Sequence, residues 1–155
     1  MTGDDAKPTV VSIHIALATR LPMRSVDSVE AEAGAGLVGD RYHGSRHRHV
    51  TIQSADGLAE ASSDLGREID PGTTRRNLTI SHGIVPSTPG DRLRVGTVDL
   101  EVVRIAAPCK LLDDVVGDGA RIALRRRAGS VCRVLSSGLI TVGDEVELAL
   151  PPNGD

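Results

Sequence analysis

The strongest constraint on this chain is a side-chain alternation of period two. Val98, Leu100 and Val102 alternate with Asp99 and Glu101. Val146, Leu148 and Leu150 alternate with Glu145, Glu147 and Ala149, and Val11, Ile13, Ile15 and Leu17 alternate with Ser12, His14 and Ala16. Successive strand residues point to opposite faces, so each pattern describes a strand with one buried face. Shorter strands are expected over residues 50–53, 77–80, 93–95, 131–135 and 140–142. Turn residues punctuate them: Pro89-Gly90-Asp91, Gly96, Ser136-Ser137-Gly138 and Gly143-Asp144. Such turns join antiparallel neighbours. The expected fold is mostly β, a closed or partly closed barrel with a few short helices.

One helix is expected over Ala55–Leu65. Ser54 can cap its start, Leu58, Ala61 and Leu65 share a face, and Gly66 can end it. A shorter helical piece is expected after Cys109, through Leu112, Val115 and Val116, and another over residues 120–127. The 155 residues suit one domain, placed here at residues 9–150, with tails at 1–8 and 151–155.

Composition narrows the function. Aromatic residues are 1% of the chain, with no Phe, no Trp and Tyr42 as the one Tyr. The core must therefore be aliphatic, and a single-stranded nucleic acid would find no stacking platform. The net charge of −3 also opposes a polyanionic partner. No apolar run reaches membrane-spanning length. Residues 1–8 lack the basic start and apolar stretch of a signal peptide. The expectation is a cytoplasmic protein without membrane or nucleic-acid partners, in which Cys109 and Cys132 remain free thiols.

Several residues have the chemistry for a site. His43, His47 and His49 are close in sequence, but they lie in a polar, glycine-interrupted stretch, for which a solvated loop is the simpler account than a zinc site. His14 and His82 read as structural. Gly34-Ala35-Gly36-Leu37-Val38-Gly39-Asp40 lacks the Lys-Ser/Thr ending of a phosphate loop. In Arg75-Arg76-Asn77, two guanidiniums and an amide precede a strand. They read either as ordinary surface charges or as donors to a phosphate or carboxylate. The run Arg125-Arg126-Arg127 reads as a solvated helix end or as a local anion site. Cys109 follows Pro108 at the end of a strand, with Lys110 beside it. A thiol in such a place can be held as thiolate, although a small buried apolar residue is the ordinary role of Cys. For Cys132, in mid-strand, the ordinary role is the better account.

Read in order, these pieces resemble the MOSC domain, named for the C-terminal part of molybdenum cofactor sulfurases. They are Gly36-Leu37-Val38-Gly39-Asp40-Arg41, Val50-Thr51-Ile52-Gln53, Arg75-Arg76-Asn77-Leu78, Gly90, Val95-Gly96, Pro108-Cys109, Arg127-Ala128-Gly129, Val134-Leu135, Gly138 and Gly143-Asp144. The resemblance spans roughly residues 10–148. It implies a β-barrel and molybdenum cofactor (molybdopterin) chemistry: sulfur transfer, or reduction of N-hydroxylated compounds. It also implies Cys109 as metal ligand or persulfide carrier, and Arg76 and Asn77 on the cofactor side. Asp40 and Arg41 match the family's Gly-Asp-Arg pattern, and His43 and Arg48 are further candidates for the same cleft. A redox or sulfur-donor protein is the implied partner. The chain has no room for the pyridoxal-phosphate domain of the sulfurases or the extra N-terminal β domain of the amidoxime-reducing members. Ala106 and Ala107 leave no second cysteine shortly before Cys109, and Ala128-Gly129 stands where many members have two glycines. A carrier or binding module that serves a partner enzyme is the alternative to a catalyst.

Overall fold

The computed structural model describes residues 6–19, 21–108 and 112–151. Among the described residues, eleven strands run in the order β1 (Val10–Ile15), β2 (Arg24–Val26), β3 (Ser28–Glu32), β4 (Gly36–Leu37), β5 (Val50–Ser54), β6 (Leu78–Ile80), β7 (Arg92–Val95), β8 (Val98–Ile105), β9 (Ser130–Val134), β10 (Gly138–Thr141) and β11 (Val146–Glu147). The α-helices are α1 (Ala55–Leu65) and the single turns α2 (Leu112–Val115) and α3 (Ala120–Ala123), with a 3-10 turn at Pro71–Thr73. Eight strands form one sheet in the order β11-β7-β8-β9-β5-β6-β1-β2, and β10, β3 and β4 form a second. Every pairing in the large sheet is antiparallel except β5 with β6. A parallel pair needs a crossover, and α1 supplies it.

The large sheet curls into a half-barrel that stays open. Its seam is narrow. Thr9 bridges to Glu145. Val10 N–H donates to Asp144 O at 2.9 Å, Gly143 N–H to Val10 O at 2.8 Å and Val146 N–H to Pro8 O at 2.8 Å. Inside lies an aliphatic core that includes Ile13, Ile52, Leu78, Ile80, Leu93, Leu100 and Ile140, all fully buried. A smaller core joins Leu58 and Ala61 of α1 to Ala120 and Leu124. The caps of α1 are those expected: Ser54 accepts from Asp56 N–H, and Gly66 ends the helix at φ 80°.

Four local expectations change. A bulge between Val10 and Ser12 resets the β1 register, so Val10 is buried while Val11 is exposed; Leu17, beyond the strand end, is exposed as well. The last strand stops at Glu147, leaving Leu148 and Leu150 only partly buried. The third helix is one turn, and Arg126 behind it adopts φ 63°. Finally, β2, β3 and β4 were not expected from the sequence. The tails placed at 1–8 and 151–155 lie largely outside the described residues. Lys7 and Pro8 are tied to the domain, through the Lys7–Glu147 ion pair at 2.9 Å and the Pro8 carbonyl.

Candidate functional site

The site is built on the outer face of the sheet, away from the main core. Cross-strand partners share a face. Arg104 of β8 pairs with Val131 of β9, and Val131 pairs with Thr51 of β5. The alternation Val98, Leu100, Val102 would turn Arg104 inward. A bulge between Val102 and Arg104 inserts one residue and reverses its direction, so the charged side chain is exposed beside the outer row.

Next to Thr51 stands Asn77, 3% exposed. Its Oδ1 accepts from the Thr51 amide at 2.9 Å and the Thr51 hydroxyl at 3.1 Å. Its Nδ2 donates to His14 O at 3.0 Å and, at 3.4 Å, to Asp40 Oδ1. Asp40, 5% exposed, also accepts from Ala16 N–H at 3.1 Å and Tyr42 N–H at 3.3 Å. Together these two residues fasten the loop after β4 to the ends of β1, β5 and β6.

That loop carries the charges. The Tyr42 ring has the Arg41 guanidinium 4.7 Å from its centroid and the Arg48 guanidinium 4.3 Å from it, the cation–π arrangement. Burial is the largest cause lowering the Arg48 pKa; Arg41 and Arg104 push in the same direction, while Tyr42 and Asp40 oppose it. Arginine stays protonated regardless, so the shift reports three cations gathered in a partly desolvated place. The Arg48 Nε is buried and has no hydrogen-bond partner.

His43 and the other two histidines of the stretch turn elsewhere. His43 Nε2 lies 3.0 Å from Glu32 Oε1, at the surface. His47 Nδ1 accepts from Arg133 at 3.0 Å. His49 is buried: its Nδ1 accepts from Val134 N–H at 2.9 Å, so its Nε2–H donates to Ser45 O at 2.8 Å. Burial lowers its pKa, with Arg133, His47 and His43 adding to the effect and the Ser45 bond opposing it. Among the described residues, no group of His, Cys, Asp and Glu could hold a metal.

Arg76, 3% exposed, sits between two chain segments. Its Nε donates to Ala128 O at 2.9 Å and its Nη2 to Ala107 O at 2.5 Å. Gly129 follows, at φ 87°, where a Cβ would overlap the Ile52 carbonyl oxygen. Its carbonyl accepts from Ala106 N–H at 2.8 Å. The segment leading to Cys109 and the segment leading to β9 are thus pinned to each other and to β5. Cys109 and Lys110 themselves lie outside the described residues. Cys132 is buried in the core, where desolvation pushes its thiol pKa up to about 12. Arg127 pairs with Glu60 at 3.5 Å and Asp64 at 2.7 Å, whereas Arg125 and Arg126 line an open cleft beside Ala106–Pro108.

Of the residues singled out in the sequence, Asp40, Arg41, Arg48 and Asn77 come together, and Arg76 joins them through the chain. His43 does not. Tyr42 and Arg104 belong to the cluster and were not singled out. Arg104, five residues before Cys109, was the available signal: a charge where the alternation asks for an apolar residue.

The chain belongs to the MOSC domain family, whose model matches residues 39–147. That family is linked to the molybdenum cofactor. Among solved structures, the YuaD protein of Bacillus subtilis is similar at 18% identity and a TM-score of 0.81, covering 91% of this chain and 94% of that one. YiiM of Geobacillus stearothermophilus gives 18% identity and a TM-score of 0.69, over 91% of this chain and 74% of its own. YiiM of Escherichia coli gives 17% and 0.65, over 92% and 70%. At these identities the likeness shows the fold. No curated protein matches the chain. No helix of the described residues is long and apolar enough to cross a membrane.

Proposed function

We propose that the outer-face cluster holds the molybdenum cofactor, with Arg41, Arg48 and Arg104 receiving its phosphate and Cys109 acting as metal ligand or sulfur carrier. The carrying observation is the orphaned, buried Arg48 Nε in a group of three arginines that has Asp40 as its nearby carboxylate. A guanidinium fork matches a phosphate, and an anion there would satisfy the donor and offset the mutual repulsion. A soft thiolate from Cys109 suits molybdenum. Bound cofactor would supply the redox or sulfur-transfer chemistry, including reduction of N-hydroxylated compounds. A reductant-bearing or sulfur-donor protein would be the partner.

The protein's own residues divide the remaining work. Asp40 and Asn77 spend their hydrogen bonds on the scaffold and so set the loop bearing Arg41 and Arg48. Arg76 holds the Ala107 and Ala128 carbonyls and so sets the direction of the chain into Cys109. The test is pterin content, read by fluorescence after oxidative extraction from protein made in a cofactor-competent host. Arg48→Met with Arg104→Met should lose at least about tenfold, as expected when charge-assisted contacts of roughly 1.5–3 kcal/mol are removed. Arg46→Met, an exposed neighbour, should not change it. Equal pterin in all three proteins would refute the assignment.

A further inference from the structure

Two clefts lie beside the end of β8, at Ile105. One, of about 770 Å³, is lined by Ile105, Pro108, Ile122 and three guanidiniums, those of Arg121, Arg125 and Arg126. A smaller one, of about 310 Å³, includes Ile84 and Val85 and shares Ile105 and Arg126 with the first. Ligand pockets are typically roughly 300–1,000 Å³, mostly apolar with a few convergent polar groups.

Two observations say what would fill them. Ile84 is 90% exposed, Ile122 75% and Ile105 41%, so three large aliphatic side chains face water around two clefts that share Ile105 and Arg126. Arg121, Arg125 and Arg126 are exposed, and none forms an ion pair among the described residues. Their neighbour Arg127, by contrast, is held by Glu60 and Asp64. Among the described residues the acid lining the larger cleft is Asp113, which accepts from the Arg121 backbone N–H at 2.9 Å; the smaller cleft adds Asp56, which accepts from Gly83 N–H, and Glu60, which pairs with Arg127. Arg126 occupies the left-handed region at φ 63°, a conformation that costs a side-chain-bearing residue of order 1–3 kcal/mol and that recurs at ligand sites. It does so where the two clefts meet. A local excess of positive charge on a chain of net charge −3 is a selective attractor for a small anion.

We infer that these joined clefts bind a small amphipathic anion, a carboxylate or similar head on an aliphatic body. The head lies among Arg121, Arg125 and Arg126, and the body lies along Ile105 and Ile122 toward Ile84. The inference uses neither the Arg41–Arg104 cluster nor any property of Cys109, although Pro108 of the larger cleft immediately precedes that residue.

The experiment is calorimetric titration of the full chain with decanoate. Decyltrimethylammonium keeps the tail and reverses the charge, and acetate keeps the head without the tail. Saturable one-to-one decanoate binding is expected, with both controls at least tenfold weaker. Arg125→Glu combined with Arg126→Glu, and separately Ile122→Ser, should each weaken decanoate at least tenfold while the circular dichroism spectrum stays that of the parent. Absent binding, equal affinity for the cationic amphiphile, or indifference to both variants overturns the inference. Co-sedimentation with phosphatidylglycerol vesicles without binding of monomeric decanoate also overturns it, in favour of a lipid surface.

Discussion

Replacing Asn77 with Ala should destabilise the fold rather than merely weaken a ligand. The side chain is 3% exposed, and its amide serves the Thr51 N–H and hydroxyl, the His14 carbonyl and Asp40. Truncation leaves the buried Thr51 amide without its acceptor, at a cost of about 1–3 kcal/mol. The loss at the His14 carbonyl adds roughly 1 kcal/mol; the Asp40 contact, at 3.4 Å, adds little. The sum is about 3 kcal/mol, which in a domain of this size lowers Tm by roughly 6–12 °C. Urea unfolding followed by far-UV circular dichroism is the assay, because Tyr42 offers little fluorescence change. Thr51→Val removes the other half of the pair, so the double variant should cost clearly less than the two single losses added together. A loss below about 1 kcal/mol in Asn77→Ala, accompanied by weakened cofactor retention, would show that the amide serves a ligand and that the scaffold reading is wrong.

Other expectations follow from single contacts. Gly129→Ala should cost more than 3 kcal/mol or prevent folding, since its Cβ would overlap the Ile52 carbonyl; Gly34→Ala, with a positive φ but open space around it, should cost roughly 1–2 kcal/mol. Equal losses in urea melts would contradict the packing account. Cys132, its thiol pushed up to about 12, should resist iodoacetamide at pH 8 until the chain unfolds, and mass spectrometry of the native protein should find it unmodified. His49 has a lowered folded pKa, so the native state binds fewer protons than the unfolded state below the ordinary value of 6.5. Its stabilisation is present above that value and is lost as pH falls through the folded pKa. His49→Asn keeps an acceptor for Val134 N–H and should flatten the decline between pH 7 and 5; an unchanged slope would assign the decline to other groups, His14 among them, whose pKa burial also lowers.

Much of the fold could be read from the sequence because the alternation of β8 and the caps of α1 are local signals. What escaped is where the chain breaks its own pattern. Arg104 is outward because of a bulge that leaves no mark in residues 98–105 beyond the charge itself. Strand β3, Ser28–Glu32, does alternate, with Val29 and Ala31 buried, but Ala and Glu are weak strand formers and mask the signal. The candidate site was legible by residue type more than by role. Arg76 and Asn77 have donors suited to an anion, yet their partners in the fold include carbonyls and amides from residues 14, 51, 107 and 128. Those pairings depend on long-range topology, which no local spacing encodes.

In the proposed function, Cys109 is the residue that would join the scaffold to the cofactor. The direct measurement is molybdenum per chain, by elemental mass spectrometry, in protein purified from a cofactor-competent host. The parent and Cys132→Ser should carry near-stoichiometric metal, and Cys109→Ser should fall to background while its urea midpoint moves by no more than about 1 kcal/mol of stability. Full molybdenum in Cys109→Ser would contradict the central claim, leaving that cysteine no role in holding the metal.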